Sequence, residues 1–469
     1  MTNWLDRPIA ETAAALRDGK LSARSLTEEA IARHDKWDGQ LQAYKSWDSD
    51  YALAQADLAD GAFKAGRDLG PAQGLIFSVK DIYGVVGFPT FAGSPKQLPT
   101  EDWSKDGTMV ATARNQLCVV PGKTHTVEFA YGGLGTNPHW GTPRNPWDAD
   151  DHRTPGGSSC GAGVSLWEGS AQIAYGTDTG GSVRVPASMT GCAGLKTTKG
   201  RWPTDGITEL SATMDTPGIL ARSVADLAYG FACLDPAARA ANAKPITPAE
   251  IGSVRIGTTS HHFWESCDAD VADTVERAIS EICAQAGRTT PIAFPEAGES
   301  VRVLGEGAIV AAEGWAFLER CLPDWIDTLD PLVRSRMEDG RVVTAPRYLN
   351  ALRRIAELQA STYARMREID VLLVPTIPAT PPKVDDVQGA NSYKAANLLA
   401  LSNTMPGNVL GLCGITLLAG KDSSGMPVGL QLIAKPNDEE RLIAVAQAIE
   451  NVIGSAVDRL GRPPLGGSS

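Results

Sequence analysis

The stretch Gly176–Gly200, GTDTGGSVRVPASMTGCAGLKTTKG, decides how the rest of the chain is read. Its glycines, threonines and serine ahead of Arg184 suit a backbone-lined loop better than a helix or strand interior. Successive free N–H groups on such a loop form an anion-binding concavity. Ser182 closes the glycine run, so a hydroxyl and several amide donors are expected side by side. A nucleophile beside oxyanion donors is what acyl transfer needs. A plain turn fits the same composition. Two nucleotide-binding readings fail on single residues. Gly176 and Gly181 have the Walker spacing, but Ser182 stands where that loop needs lysine. Gly161 and Gly163 would open a dinucleotide fingerprint whose third glycine position holds Leu166.

Upstream, Leu75-Ile76-Phe77-Ser78-Val79 is a short apolar run behind a Pro/Gly turn and reads as a buried strand. It ends in Lys80. Either that amine surfaces at the strand end, or it is held out of water with a depressed pKa and can act as a base. Cys118–Pro121 is a further strand candidate. Tyr131–Ser159 reads as a long loop rich in Gly, Pro and Asn, of a length that is usually functional. Ala171–Tyr175 is expected to be the strand feeding the central loop.

Toward the N-terminus, residues 8–60 read as helical, with Ile9, Ala13 and Leu16 on one face. Ser25 and Glu28 are spaced as a capping box, unless the helix begins near Ser22. His34 is expected to be a partly exposed helix residue, and Tyr51–Ala65 a further helix. Downstream, Ser223–Leu234 reads as a helix capped by Ser223, Val254–Gly257 as a strand and Asp270–Ala286 as an amphipathic helix. Residues 301–369 are mostly helical, and Val371–Pro375 is a strand. Ile415–Leu418 and Val428–Ile433 are late strands before a final helix from Glu439 to about Val452. Strands alternating with helices argue an α/β architecture.

Composition narrows the function classes. A 43% hydrophobic fraction over 469 residues rules against disorder. Net charge is −12 with no basic run, so neither nucleic acid nor an anionic membrane is expected as a partner. The eight cysteines form no CxxC pair or ligand cluster and read as reduced, mostly buried thiols of a cytoplasmic protein. None of the six histidines sits in a ligand-spaced cluster, so no metal or cofactor is expected. The opening MTNWLDRPIAETAAAL lacks a signal-peptide pattern, and no window reaches ~18 unbroken apolar residues. The terminal GGSS reads as a flexible tail.

Several stretches together resemble the amidase-signature family of serine hydrolases. They are Ser-Val-Lys-Asp at 78–81, Pro-Gly-Gly-Ser-Ser at 155–159 and Gly-Thr-Asp-Thr-Gly-Gly-Ser-Val-Arg-Val-Pro-Ala at 176–187. Gly191–Lys196, Asp215–Gly218 and Pro427–Ile433 extend the likeness. Ser158 and Ser182 are 24 positions apart, the separation this family uses. The resemblance implies an α/β/α sandwich around a mixed, largely parallel sheet, in a single domain spanning 1–469. Within it, 1–65 form N-terminal helices, 72–235 the signature core and 300–410 a variable substrate-side region. It implies a Ser–cis-Ser–Lys triad, with Ser182 as nucleophile, Ser158 as bridge next to a non-proline cis peptide bond, and Lys80 as neutral base. The N–H groups of Thr179, Gly180, Gly181 and Ser182 would form the oxyanion hole. Ala130 and Tyr131, with Ser158, would line the acyl side, while Asp178 and Arg184 hold the loop. Cys160 and His125 depart from the family's common residues; the first is expected to be a small buried thiol, the second to alter hydrogen bonding behind the site.

Two rival readings are weaker. Gly157-Ser158-Ser159-Cys160-Gly161 fits the GxSxG elbow of an α/β-hydrolase, but no strand precedes it and His262 is the last histidine. An amidotransferase A-subunit shares the signature and would need partner chains and tRNA. The favoured reading is an amidohydrolase, monomeric or homodimeric, acting on a small-molecule amide, with carbamates and allophanate-type ureas as alternatives. Trp315, Phe317, Leu318 and Trp325 are expected in the core rather than in the pocket.

Overall fold

One sheet threads almost the whole chain, and it sets where the reacting groups stand. The computed structural model describes residues 3–241 and 245–465; the GGSS tail lies outside them. The strands are β1 (Tyr44–Trp47), β2 (Phe77–Lys80), β3 (Gly122–Thr124), β4 (Ile173–Asp178), β5 (Ala193–Lys196) and β6 (Thr216–Ala221). The rest are β7 (Arg255–Thr258), β8 (Arg288–Pro291), β9 (Val371–Pro375), β10 (Cys413–Lys421) and β11 (Pro427–Ala434). Their order is β1-β3-β2-β4-β6-β5-β10-β11-β9-β7-β8. The sheet is mixed, as expected, but not largely parallel: six of its pairings are antiparallel and four parallel. Its parallel pairs, β3–β2–β4 and β9–β7–β8, flank a middle run from β4 to β9 in which neighbours are antiparallel. The late strands β10 and β11 are joined by a tight turn, which only antiparallel strands allow.

Alternation along the central strands builds two layers. Ile173, Tyr175, Ile219 and Ala221 point into the core beneath the helices Val224–Leu234 and Glu439–Ile453. Ala174 and Leu220 face the other way, against Ala162, Leu166, Val183 and Ala187. Those residues belong to, or adjoin, the helices Cys160–Glu168 and Arg184–Thr190. Ser223 caps the first of these four helices as expected, accepting from the Asp226 N–H.

Several expectations shift. The N-terminal helices are Ile9–Arg17, Ala23–Leu41 and Ser49–Lys64, and Ser22 rather than Ser25 caps the second, accepting from the Ser25 N–H. The edge strand β1 interrupts this helical region; four residues pairing only with β3 leave no periodic signal. The strand expected at 118–121 forms at β3, with only a bridge from Val119 to Ile76 before it. The central stretch is not loop throughout. β4 runs to Asp178, the loop is short, and a helix and β5 follow. β5 and β6 escape a strand reading because Gly194, Pro217 and Gly218 look like turn residues. Gly194 is there for packing: a Cβ on it would stand 2.7 Å from that of Ala187. Residues 131–159 contain no helix or strand, as expected, and a short helix, Ala456–Leu460, follows the one expected to be last.

Candidate active site

Lys80 ends β2 and is fully buried. Its Nζ donates to Ser158 Oγ at 2.7 Å and to Thr177 Oγ1 at 2.9 Å. Among the described residues no carboxylate pairs with it. Burial disfavours the ammonium and brings Lys80 down to about 7, while Cys160, Asp215 and Asp178 pull weakly the other way. The strand-end amine is therefore withdrawn from water, the sharper of the two sequence readings. The Gly157–Ser158 peptide is cis, as the resemblance implied. Ser158 is buried, and the Ser159 N–H donates to the Ser182 carbonyl at 3.3 Å, which stitches the two serine loops together. Among the described residues no hydrogen bond joins the two hydroxyls of Ser158 and Ser182.

The loop between β4 and the 184–190 helix divides its amides into two sets. Val183 and Arg184 donate their N–H groups to Asp178 Oδ2, and Val185 donates to the Gly181 carbonyl. The N–H groups of Thr179, Gly180, Gly181 and Ser182 have no protein acceptor among the described residues. Buried amides are rarely left so, and four in succession beside a hydroxyl are donors available to an anion. Gly181 has φ +138°, and a Cβ there would meet Thr404 Oγ1 at 2.1 Å. That hydroxyl donates to the Gly180 carbonyl at 2.7 Å, so the loop tip is pinned from the far side of the sequence.

Asp178 and Arg184 hold this loop and do not line the cavity. Their buried ion pair measures 2.9 Å. Burial works to raise the Asp178 carboxyl, yet the Arg184 guanidinium keeps it well below the usual range. Arg184 continues to Gln431 Oε1 at 2.5 Å and Asn408 Oδ1 at 2.6 Å. Asp215 is the second anchor: it accepts the Thr179 hydroxyl at 2.6 Å and the N–H groups of Leu210 and Ser211.

Ser182, Thr179 and Gly180 open on a cavity of about 480 Å³. Ala130, Tyr131 and Gly132 form one side of it. Phe129 and Ala130 both have positive φ, 45° and 58°, which turns the chain sharply into the cavity wall. The opposite side is built by the helices Pro295–Gly307, Ile309–Cys321, Pro331–Glu338 and Ala390–Ser402. They contribute Leu304, Ile309, Leu398 and Leu401 with the polar Arg336, Lys394 and Asn397. Most of that side comes from residues 301–401. Trp315, Phe317, Leu318 and Trp325 are buried in the main core and absent from the lining, as expected.

Some residues stand elsewhere than expected. His34 is buried, 5% exposed, where a partly exposed residue was expected. It stacks on Trp47 and its Nδ1 bonds Glu168 at 3.3 Å. His34, Asp38 and Glu168 are the one metal-competent cluster among the described residues. Asp38 lies 3.9 Å from Nε2 and Glu168 3.3 Å from Nδ1, and one ligand atom from each of the three residues lies within 4.8 Å of the others. The His125 ring makes no hydrogen bond among the described residues; only its backbone does, and burial lowers its pKa to about 4. Cys160 is buried with its thiol pushed up to about 12, so it is no thiolate at neutral pH. Ser159, the GxSxG candidate, is buried at the start of the 160–168 helix and does not reach the cavity. Sequence reasoning passed over Thr177, the second acceptor of Lys80. Thr404, Asn408 and Gln431 gave no local signal.

Comparisons with known proteins identify the family. The Amidase family model matches residues 25–443. The chain is 45% identical to the 2-amino-5-chloromuconic acid deaminase of Comamonas testosteroni, over 97% of this chain and 98% of that one. It is 32% identical to the glutamyl-tRNA(Gln) amidotransferase A-subunit of Thioalkalivibrio sulfidiphilus, over 95% and 97%. A crystal structure of an amidase superposes with TM-score 0.85 at 26% identity, covering 96% of this chain and all of that one. The peptide amidase of Stenotrophomonas maltophilia does so at 0.81 and 25% identity, over 98% of each chain. With a buried lysine bonded to a serine, a free-amide loop beside a second serine and these relatives along its length, the chain belongs to the amidase family and is a hydrolase of carbon–nitrogen bonds.

Proposed function

We propose that the protein cleaves the C–N bond of a small-molecule amide through an acyl-enzyme on Ser182. The Lys80–Ser158 hydrogen bond, with Lys80 depressed to about 7, is the observation that carries this reading. A neutral Lys80 takes the Ser158 proton as Ser158 takes that of Ser182, once the Ser182 hydroxyl turns toward it. Ser182 Oγ then bonds to the substrate carbonyl carbon. The oxyanion is met by the unpaired N–H groups of 179–182. The proton returns through Ser158 to the nitrogen, the C–N bond breaks and the amine leaves. Water repeats the sequence on the ester. Thr177 keeps the Lys80 amine aimed at Ser158 by occupying one of its N–H groups.

A second reading narrows the leaving group to ammonia. The 45% identical relative is named a deaminase of an amino-substituted acid, which favours a free NH₂ on the carbon attacked. Carbamate and allophanate hydrolysis stay as alternatives, and the apolar wall of Leu304, Ile309 and Leu401 suits an alkyl or aryl leaving group. The test is covalent labelling by a fluorophosphonate together with a panel of a primary aliphatic amide, an aryl amide, an aryl carbamate and allophanate. Ser182→Ala should lose both labelling and turnover. Labelling that persists on Ser159 would overturn the assignment. A carbamate cleaved faster than every amide would overturn the substrate class.

A further inference from the structure

The substrate-side wall carries an unpaired group of hydrogen-bond donors. Arg336, on the 331–338 helix, is fastened by Nε to the Leu332 carbonyl at 3.0 Å and by Nη2 to the Tyr131 carbonyl. Its guanidinium lies over the rings of Tyr131 at 4.6 Å and Tyr393 at 5.3 Å. Among the described residues no carboxylate comes within ion-pair distance of it, and Nη1 has no acceptor. On the neighbouring 390–402 helix, Lys394 has neither ion pair nor hydrogen bond among the described residues. One turn on, buried Asn397 accepts the Gly133 N–H with Oδ1 at 2.7 Å, which fixes its amide orientation and leaves Nδ2 unpaired among the described residues. All three line the same cavity as Ser182. Asp339 is the single carboxylate among the described residues of that lining, against two cations, and pairs with neither of them.

A guanidinium fixed on both flanks but free at one terminal nitrogen, in one lining with an exposed ammonium and an oriented amide, matches a carboxylate. In a chain of net charge −12, neither of these two cations in a largely apolar cavity has a carboxylate partner among the described residues. We propose that Arg336, Lys394 and Asn397 form a carboxylate subsite, so that the preferred substrate is the amide of a dicarboxylic acid, with its free carboxylate held here and its C–N carbon at Ser182. This rests on the hydrolytic reading of Ser182, but the subsite can be read without turnover.

Two measurements separate the two ideas. The first is the ratio of kcat/KM for adipamic acid, a monoamide of a six-carbon diacid, to that for hexanamide, which has the same chain and no charge. The ratio should exceed ten, and it should fall at least tenfold in Arg336→Gln and fall below one in Lys394→Glu, where the exposed helix position tolerates the change. The second is calorimetric binding of adipate, which has no C–N bond to cleave. Adipate should bind the full chain, more weakly as salt rises, and at least tenfold more weakly in both variants. Hexanamide preferred over adipamic acid, or adipate binding indifferent to both substitutions, would overturn the subsite. Adipate binding as expected with no Ser182 labelling would overturn the hydrolytic reading and leave the subsite standing.

Discussion

The two sides of the cavity are built on opposite principles. The side around β2, β4 and the 179–184 loop is made of main chain and of buried polar groups with fixed partners. Lys80, Ser158, Asp178, Arg184 and Asp215 are each nine-tenths or more buried, and each has at least one bond of 3.0 Å or less. The facing side is made of side chains projecting from helices, with Leu398 and Lys394 open to water. Buried polar networks tolerate no partial change, because a lone partner is left desolvated. Apolar side chains on a solvent-facing helix can be exchanged at small cost. The first side therefore fits a fixed chemistry and the second a variable choice of substrate.

The largest expected effect tests the fixed side directly. Lys80→Ala should lower amide turnover by ~10³-fold or more, and Lys80→Arg should not restore it, since guanidinium stays protonated. In the unmodified protein only neutral Lys80 accepts a proton. kcat/KM should thus rise about tenfold per pH unit below about 7 and level off above it. A flat profile from pH 5 to 9 would mean that the base lies elsewhere.

Next in size is Gly181→Ala. Its Cβ would collide with Thr404 Oγ1, and its φ of +138° is strained for alanine. Displacing one oxyanion donor should cost about 10²–10³ in kcat with a much smaller change in KM. Near-native kcat in this variant would show that the free amides of the loop take no part.

The third experiment separates core from wall within the variable region. Phe317 is buried against Trp103, so Phe317→Ala should cost ~3–5 kcal/mol of stability in chemical denaturation. Leu401→Ala, on the cavity wall, should cost less and should shift the ranking of substrates by KM instead. Swapped outcomes would place the aromatic cluster in the pocket.

The smallest effect lies where the two sides meet. Glu128 precedes the Ala130 turn, accepts the Asp330 N–H at 2.7 Å and bonds His139 at 3.1 Å, and so ties the acyl-side loop to the start of the 331–338 helix. Burial raises its pKa to about 8. A carboxyl whose folded pKa is raised contributes stability that is full below its unfolded value, near 4.5, and is lost as pH rises through about 8. Glu128→Gln should flatten that decline in a series of melting temperatures. A decline of unchanged slope would assign it to another buried acid such as Glu450, raised to about 7.

The difference between the sides also explains what could be read in advance. Ser182 and its amides are adjacent in sequence, so their meeting is a local fact of one loop. Lys80 stood out because a cation directly follows an apolar strand. By contrast, Arg336, Lys394 and Asn397 come from two helices separated by more than 50 positions, and only packing against Tyr131 and Gly133 aligns them. β5 and β6 were hidden for a different reason: Gly194 and Gly218 look like turn residues, and their role in close packing against Ala187, Leu195 and Val183 shows only once the chain has folded.

By itself, then, the sequence determined the α/β class and the family, and it singled out Lys80, Ser158 and Ser182 as candidates, because those readings depend on residues bound to a local backbone pattern. The tertiary structure alone decided that Lys80 is withdrawn from water, that four loop amides lack acceptors among the described residues, that His34 is buried against Glu168 and which donors line the cavity. Burial, desolvation and unmet hydrogen-bonding capacity are properties of surroundings, and surroundings exist only once distant segments have packed together.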